Sequence, residues 1–164
     1  MLLIIGLIQF SGCGASRGYS FEGIAINPDT KTFFVAQFDN NARTLIPTLS
    51  QDFSEKSKRK LLDETGLNFD NLDPDIEFSG AITQYRISSE APEPGESSAI
   101  SRLTIQIAVD YVNNKNEEDK WKKTFSFFQD FPSDQNVLDL QDQLIETITE
   151  QIVEDIFQKA FTNW

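Results

Sequence analysis

At 164 residues with a formal charge of −12, the chain is long enough for one domain with a substantial core and too short for two comfortable ones. It has no histidine and a single cysteine, Cys13. This removes the usual general base, the Ser/His and Cys/His nucleophile pairs, most zinc sites and any disulfide within one chain. Such acidity repels nucleic-acid phosphates and anionic lipid surfaces, so nucleic acid is not an expected partner.

The first element is a processing segment. Residues 2–8, Leu-Leu-Ile-Ile-Gly-Leu-Ile, are apolar but too few to span a bilayer as a helix. Gln9, Phe10, Ser11 and Gly12 then lead to Cys13. A short apolar run ending in small residues is a secretory signal, and small residues immediately before a lone cysteine resemble the bacterial lipobox. Phe10 departs from the leucine commonest at its position. The segment before the apolar run carries no lysine or arginine, which leaves room for a start further upstream. The resemblance implies a diacylglycerol on the Cys13 thiol, cleavage before it and an N-acyl group, with no other cofactor. More than one acyl chain makes such anchoring stable. The expected division is a signal peptide over 1–12, a lipidated tether over 13–20 and one domain over 21–164. No acidic residue follows Cys13 closely. By resemblance to known sorting signals, that implies anchoring in the outer membrane, facing the periplasm.

Lys31 to Phe38 predicts a strand that is apolar on both parities, through Phe33, Phe34, Val35, Ala36 and Phe38. Asp39-Asn40-Asn41 ends it as a turn cluster. A helix over 44–64 follows, with Leu45, Leu49, Phe53 and Leu61 on one face and Gly66 as its C-cap. Its basic run, Lys56, Lys58, Arg59 and Lys60, reads as a solvated face near the helix end. A strand over 75–87 alternates Ile76, Phe78 and Ile82. Gly80 marks a bulge or a close backbone approach, and Tyr85 and Ile87 lie on the other parity. Residues 88–99 read as a hairpin loop.

The strand over 100–112 sets Leu103, Ile105, Ile107, Val109 and Tyr111 against Thr104, Gln106, Ala108 and Asp110. After a polar turn, residues 120–131 form a strand with Trp121, Phe125, Phe127 and Phe131 on one side. Pro132-Ser133-Asp134 opens a helix to about Ala160. Its stripe of Leu140, Leu144, Ile148, Ile152 and Ile156, widened by Ile145, Val153 and Phe157, has the width of a helix packed on a sheet. The order β-α-β-β-β-α predicts an α+β two-layer sandwich, with two helices on one face of a four-stranded mixed sheet. The first crossover makes its two flanking strands parallel.

Chemistry-bearing motifs are absent. There is no phosphate-binding glycine loop and no dinucleotide fingerprint. Asp70, Asp73, Asp75 and Glu77 cluster but lack the regular spacing of a calcium loop, so no metal is expected. No enzyme activity is expected.

Short motifs in order resemble the lipopolysaccharide-assembly lipoprotein family, LptE. They are Tyr19-Ser20-Phe21-Glu22-Gly23, Phe38-Asp39-Asn40-Asn41-Ala42, Leu49-Ser50-Gln51, Phe78-Ser79-Gly80, Arg102-Leu103-Thr104-Ile105 and the ending Asn163-Trp164. The resemblance implies two helices on a four-stranded sheet, and a non-catalytic plug and scaffold inside the outer-membrane β-barrel LptD. It also implies a role in barrel assembly and in delivery of lipopolysaccharide to the cell surface. Some members bind lipopolysaccharide through basic residues. Arg86, Arg102 and Lys122 are candidates from strand position alone, and the glutamates at 90, 93 and 96 would repel lipid A phosphates.

A two-layer sandwich covers one face of its sheet, so either Phe33 or Phe34 falls on the open face, to be covered by a partner, which makes both candidate partner contacts, or by a loop or the N-terminal segment of the chain itself. Two other classes compete. A carrier of a small lipid or peptide would show a deep apolar cavity under the sheet. An enzyme would show clustered carboxylates of raised pKa in a cleft. A plug requires a solid core and no catalytic cleft.

Overall fold

The structure, a computed structural model, describes residues 26–44, 46–90 and 99–162. Cys13, the signal, the tether, the Tyr19–Gly23 motif and Asn163-Trp164 lie outside the described residues, as do Leu45, Glu93 and Glu96.

In chain order the elements are β1 (Thr32–Val35), β2 (Asp39–Asn40), α1 (Leu49–Thr65) and β3 (Asn68–Phe69), followed by β4 (Ile76–Glu90), β5 (Ile100–Asn113), β6 (Lys120–Pro132) and α2 (Val137–Phe161). The sheet runs β3-β1-β4-β5-β6, with β2 also beside β4. β1 pairs with β4 in parallel, as the crossover through α1 requires, and β4, β5 and β6 form an antiparallel meander. The chain is α+β, two helices on one face of a mixed sheet. The principal strands are the four read from sequence, and β2 and β3 add two residues each at the β1 side.

The alternation on β5 sorts the layers. Leu103, Ile105, Ile107, Val109 and Tyr111 are buried beneath the helices. Ile148 and Ile152 of α2 are wholly buried in the same core. On α1, Leu49, Phe53, Ser57 and Leu61 recur every fourth residue and face inward. Phe53 meets Phe38 edge-on at 5.0 Å. Burying side chains of this size contributes roughly 1.5–3 kcal/mol each, which is why the aromatic-rich composition reads as core.

Several boundaries differ from those read in the sequence: β1 is only Thr32–Val35, Asp39–Asn40 pairs with β4 as β2 where a turn was expected, and β4 runs on to Glu90 because it stays paired with β5 as far as Ile100. α1 begins at Leu49 because Pro47 disfavours helical backbone at Ile46. Gly66 closes it in the left-handed region, at φ 69°. α2 begins at Val137 because Asn136 caps it, its side chain accepting from Leu138 N at 3.2 Å. Pro132 is therefore the last residue of β6, where an edge strand tolerates it. On β4 the bulge falls between Ile82 and Gln84, which turns Tyr85 inward in place of residue 84.

The basic run on α1 is not simply solvated. Lys56 pairs with Glu146 at 2.7 Å, and Lys60 bridges Glu64 and Glu154 at 2.5 Å each. Lys58 lies 3.8 Å over the Phe69 ring. Two of the four cations thus tie α1 to α2, and Lys60 holds the Glu154 carboxyl below its usual pKa by hydrogen bonding to it.

Candidate functional site

The helices cover one side of the sheet, and the other side is the candidate interaction surface. Register decides which side chains reach it. Phe33 pairs with Ile76, and Phe34 pairs with Glu77. Phe33 is fully buried in the core, so of the two candidates Phe34 is the one on the open face. Even there it is only half-exposed, with its ring 5.9 Å from that of Phe69.

Across the middle of β4, β5 and β6 the open face is small and polar, with Val112 and Phe128 as its exposed large apolar side chains. Its rows include Ala81 beside Ala108 and Thr124, and Gln84 beside Gln106 and Ser126. Charges on it are matched in register. Asp110 lies opposite Lys122 and the pair closes to 2.7 Å. Arg102 lies opposite Asp130 and donates twice to its carboxylate, through Nε at 2.6 Å and Nη2 at 2.9 Å. The Arg102 guanidinium also sits 3.8 Å over the exposed Phe128 ring. These hydrogen bonds hold the Asp130 carboxyl below its ordinary pKa and the Arg102 guanidinium above its own.

The three basic candidates therefore differ. Arg102 is committed to Asp130 and Phe128, Lys122 is a solvated partner of Asp110, and Arg86 is exposed beside Thr104. The structure does not bring them into one cluster. Asp130 and Phe128 were not singled out from sequence. Their signal is positional, since only the β5–β6 register places them against Arg102.

The acidic cluster between β3 and β4 has structural work to do. Asp75 accepts from Lys31 N at 2.6 Å and Thr32 N at 3.1 Å, and pairs with Lys115 at 3.0 Å. Led by the Lys31 hydrogen bond, these contacts pull its pKa from 3.8 to about 2. Asp70 accepts from Leu72 N at 2.9 Å, and Glu77 from Asn114 Nδ2 at 2.6 Å. Among the described residues no group of three or more His, Cys, Asp or Glu side chains is placed to hold a metal.

Under the sheet, the space framed by Phe38, Leu61, Phe78, Val153, Ile156 and Phe157 amounts to about 20 Å³. That holds roughly one water and no lipid. The larger depressions, of about 540 and 520 Å³, are surface features beside Pro132 and between the charged flanks of α1 and α2.

A family model described as LptE, lipopolysaccharide-assembly, matches residues 30–160. No curated protein matches the chain. Two solved structures share the fold. The rare lipoprotein B from Shewanella oneidensis is 8% identical, with 78% of this chain and 89% of that one covered and a TM-score of 0.51. The hypothetical protein CT253 from Chlamydia trachomatis is 8% identical, with 79% and 96% covered and a TM-score of 0.50.

Proposed function

Since the chain belongs to the LptE family of lipopolysaccharide-assembly lipoproteins, we propose that it is the plug and scaffold of the outer-membrane barrel LptD. In this reading Cys13 carries the lipid that holds the domain on the periplasmic side of the outer membrane. Residues 21–164 form the single domain that enters the barrel, assists its assembly and helps deliver lipopolysaccharide to the cell surface. The role is one of binding, without turnover.

The observation that carries the reading is the open face of the sheet. It is broad, and its strands β4, β5 and β6 present mostly alanine, serine, threonine, glutamine and register-matched ion pairs, with Val112 and Phe128 as exposed apolar exceptions. The inner wall of a large membrane barrel is polar. A polar, charge-balanced face suits such a wall better than the apolar surface anticipated from Phe33 and Phe34. The filled space beneath the sheet also favours a plug over a carrier of a small lipid or peptide. Lys122 remains a candidate lipopolysaccharide contact, and Arg86 stands apart from it near the free end of β4. Arg102 enters only as part of its pair with Asp130.

The test is gentle detergent extraction followed by pull-down through a C-terminal tag. The expected result is a one-to-one complex with the barrel, burying more than about 2,000 Å² as permanent complexes do. Depletion should lower both folded barrel and surface lipopolysaccharide. Recovery of the domain alone, with normal surface lipopolysaccharide in depleted cells, would overturn the reading and favour the small-ligand carrier.

A further inference from the structure

The two long edges of this sheet are not alike. β6 forms one edge and carries Lys120, Lys122 and Lys123 before ending on Pro132, residues that discourage pairing with another strand. β4 forms an edge only in its second half. β1 flanks it as far as Phe78 and β2 at Ala81 and Ile82, and no described strand lies on that side from Thr83 onward.

Hydrogen bonding fixes which groups this free stretch presents. The Phe78 and Ile82 carbonyls face the flank, accepting from Ala36 N and Asn41 N at 2.9 Å each. The bulge after Ile82 shifts the alternation by one, giving Gln84↔Gln106 and Tyr85↔Ile105. The outward N–H and C=O groups beyond it are therefore those of Tyr85, Ile87 and Ser89. This stretch has neither lysine nor proline, and Ile87 at its centre is 44% exposed. Arg86 beside it is exposed and makes no ion pair among the described residues. Glu90 is already turned to Ser88 and Arg102.

We infer that the edge of β4 from Tyr85 to Ser89 receives an extended segment of the barrel partner by main-chain strand addition, with an acidic residue facing Arg86 and an apolar one over Ile87. Strand addition of this kind draws affinity from main-chain hydrogen bonds and specificity from alternate side chains. Charge argues for a different protein over a second copy, because two chains of −12 repel. The inference rests on the plug reading and adds the place and mode of contact.

Amide hydrogen exchange, read residue by residue on the free protein and on the co-purified complex, tests it. In the free protein the Tyr85, Ile87 and Ser89 amides should exchange rapidly, and in the complex they should slow by about tenfold or more. Ile87→Pro removes the central outward donor without touching a β4–β5 hydrogen bond, and should reduce recovery of the barrel. Arg86→Glu should reduce it too, and Arg86→Lys should not. Full recovery of the complex with these three amides unprotected would overturn strand addition and leave the plug reading standing. Failure of the wild type to recover any barrel would overturn both. Slow exchange in the free protein would overturn the inference as well, marking a segment of this chain as the occupant if independent of concentration and a second copy if dependent on it.

Discussion

A β-carbon added to Gly80 would stand 2.0 Å from the carbonyl oxygen of Ala108 on the neighbouring strand and 2.8 Å from the Phe38 ring. Gly80 also holds φ at 156°. The close approach lets β4 and β5 pair tightly where Phe38 leans across them. Gly80→Ala should therefore destabilise the domain by about 3 kcal/mol, through overpacking and lost strand pairing. Urea unfolding of the two proteins measures it. An unchanged midpoint would mean that the strands part at that point without cost.

Ile148 is wholly buried on the face of α2 turned to the sheet. Ile148→Ala should cost about 2–5 kcal/mol, with the upper part of that range expected if the surrounding side chains cannot collapse into the space. Thermal unfolding followed by circular dichroism is the check.

Phe33 and Phe34 should separate cleanly. Phe33→Ala removes a fully buried ring and should cost about 3–5 kcal/mol. Phe34→Ala removes a half-exposed ring and should cost distinctly less. Equal losses in denaturant unfolding would contradict the register of β1 against β4.

The Asp75 carboxylate joins the start of β1 to the turn after β5. Its folded pKa, about 2, lies below the usual 3.8. Its contribution is thus complete above the unfolded value and fades as pH falls toward the folded one. Asp75→Ala should cost about 2 kcal/mol at neutral pH. The gap between wild type and variant should close between about pH 5 and pH 2. A gap independent of pH in that window would assign the loss to shape rather than charge.

Cys13→Ser should leave an unlipidated, uncleaved precursor, the outcome expected if the small residues before Cys13 direct processing. Mass spectrometry of the wild-type N-terminus decides it. A mature end elsewhere, with no acyl mass, would refute the anchor.

The long elements were legible because their periods are long. Leu103 to Tyr111 alternate over nine positions, and Leu144 to Ile156 repeat every fourth, so a single phase satisfies them all. β2 and β3 have two residues each, too few to carry a period. The choice between Phe33 and Phe34 was undecidable locally, since both parities of β1 are apolar and only the pairing with Ile76 breaks the tie. Arg102 likewise read only as a lipopolysaccharide-contact candidate, because Asp130, its partner, stands 28 residues away and meets it only through strand register. The polar character of the open face was written in Gln106, Ala108, Thr124 and Ser126. Its meaning depended on knowing that both helices lie on the other side.

The place of α2 after all the strands in chain order constrains the order in which the core can be closed. β4, β5 and β6 are joined by sequential antiparallel pairings between neighbours in the chain, the contacts of lowest loop-closure cost in the sheet. β1 must return to β4 across α1, and the helix that closes the core over β5 and β6 comes in the chain after every strand it covers. Under the proposed export, a chain that crossed the inner membrane N-terminus first would carry Ile105 and Ile107 uncovered until α2 had followed them across. During that interval the nascent sheet is sticky on its inner face, a state prone to aggregation. The proposed lipid anchor at Cys13, far from that face in sequence, would hold each chain apart from its neighbours until α2 packs down.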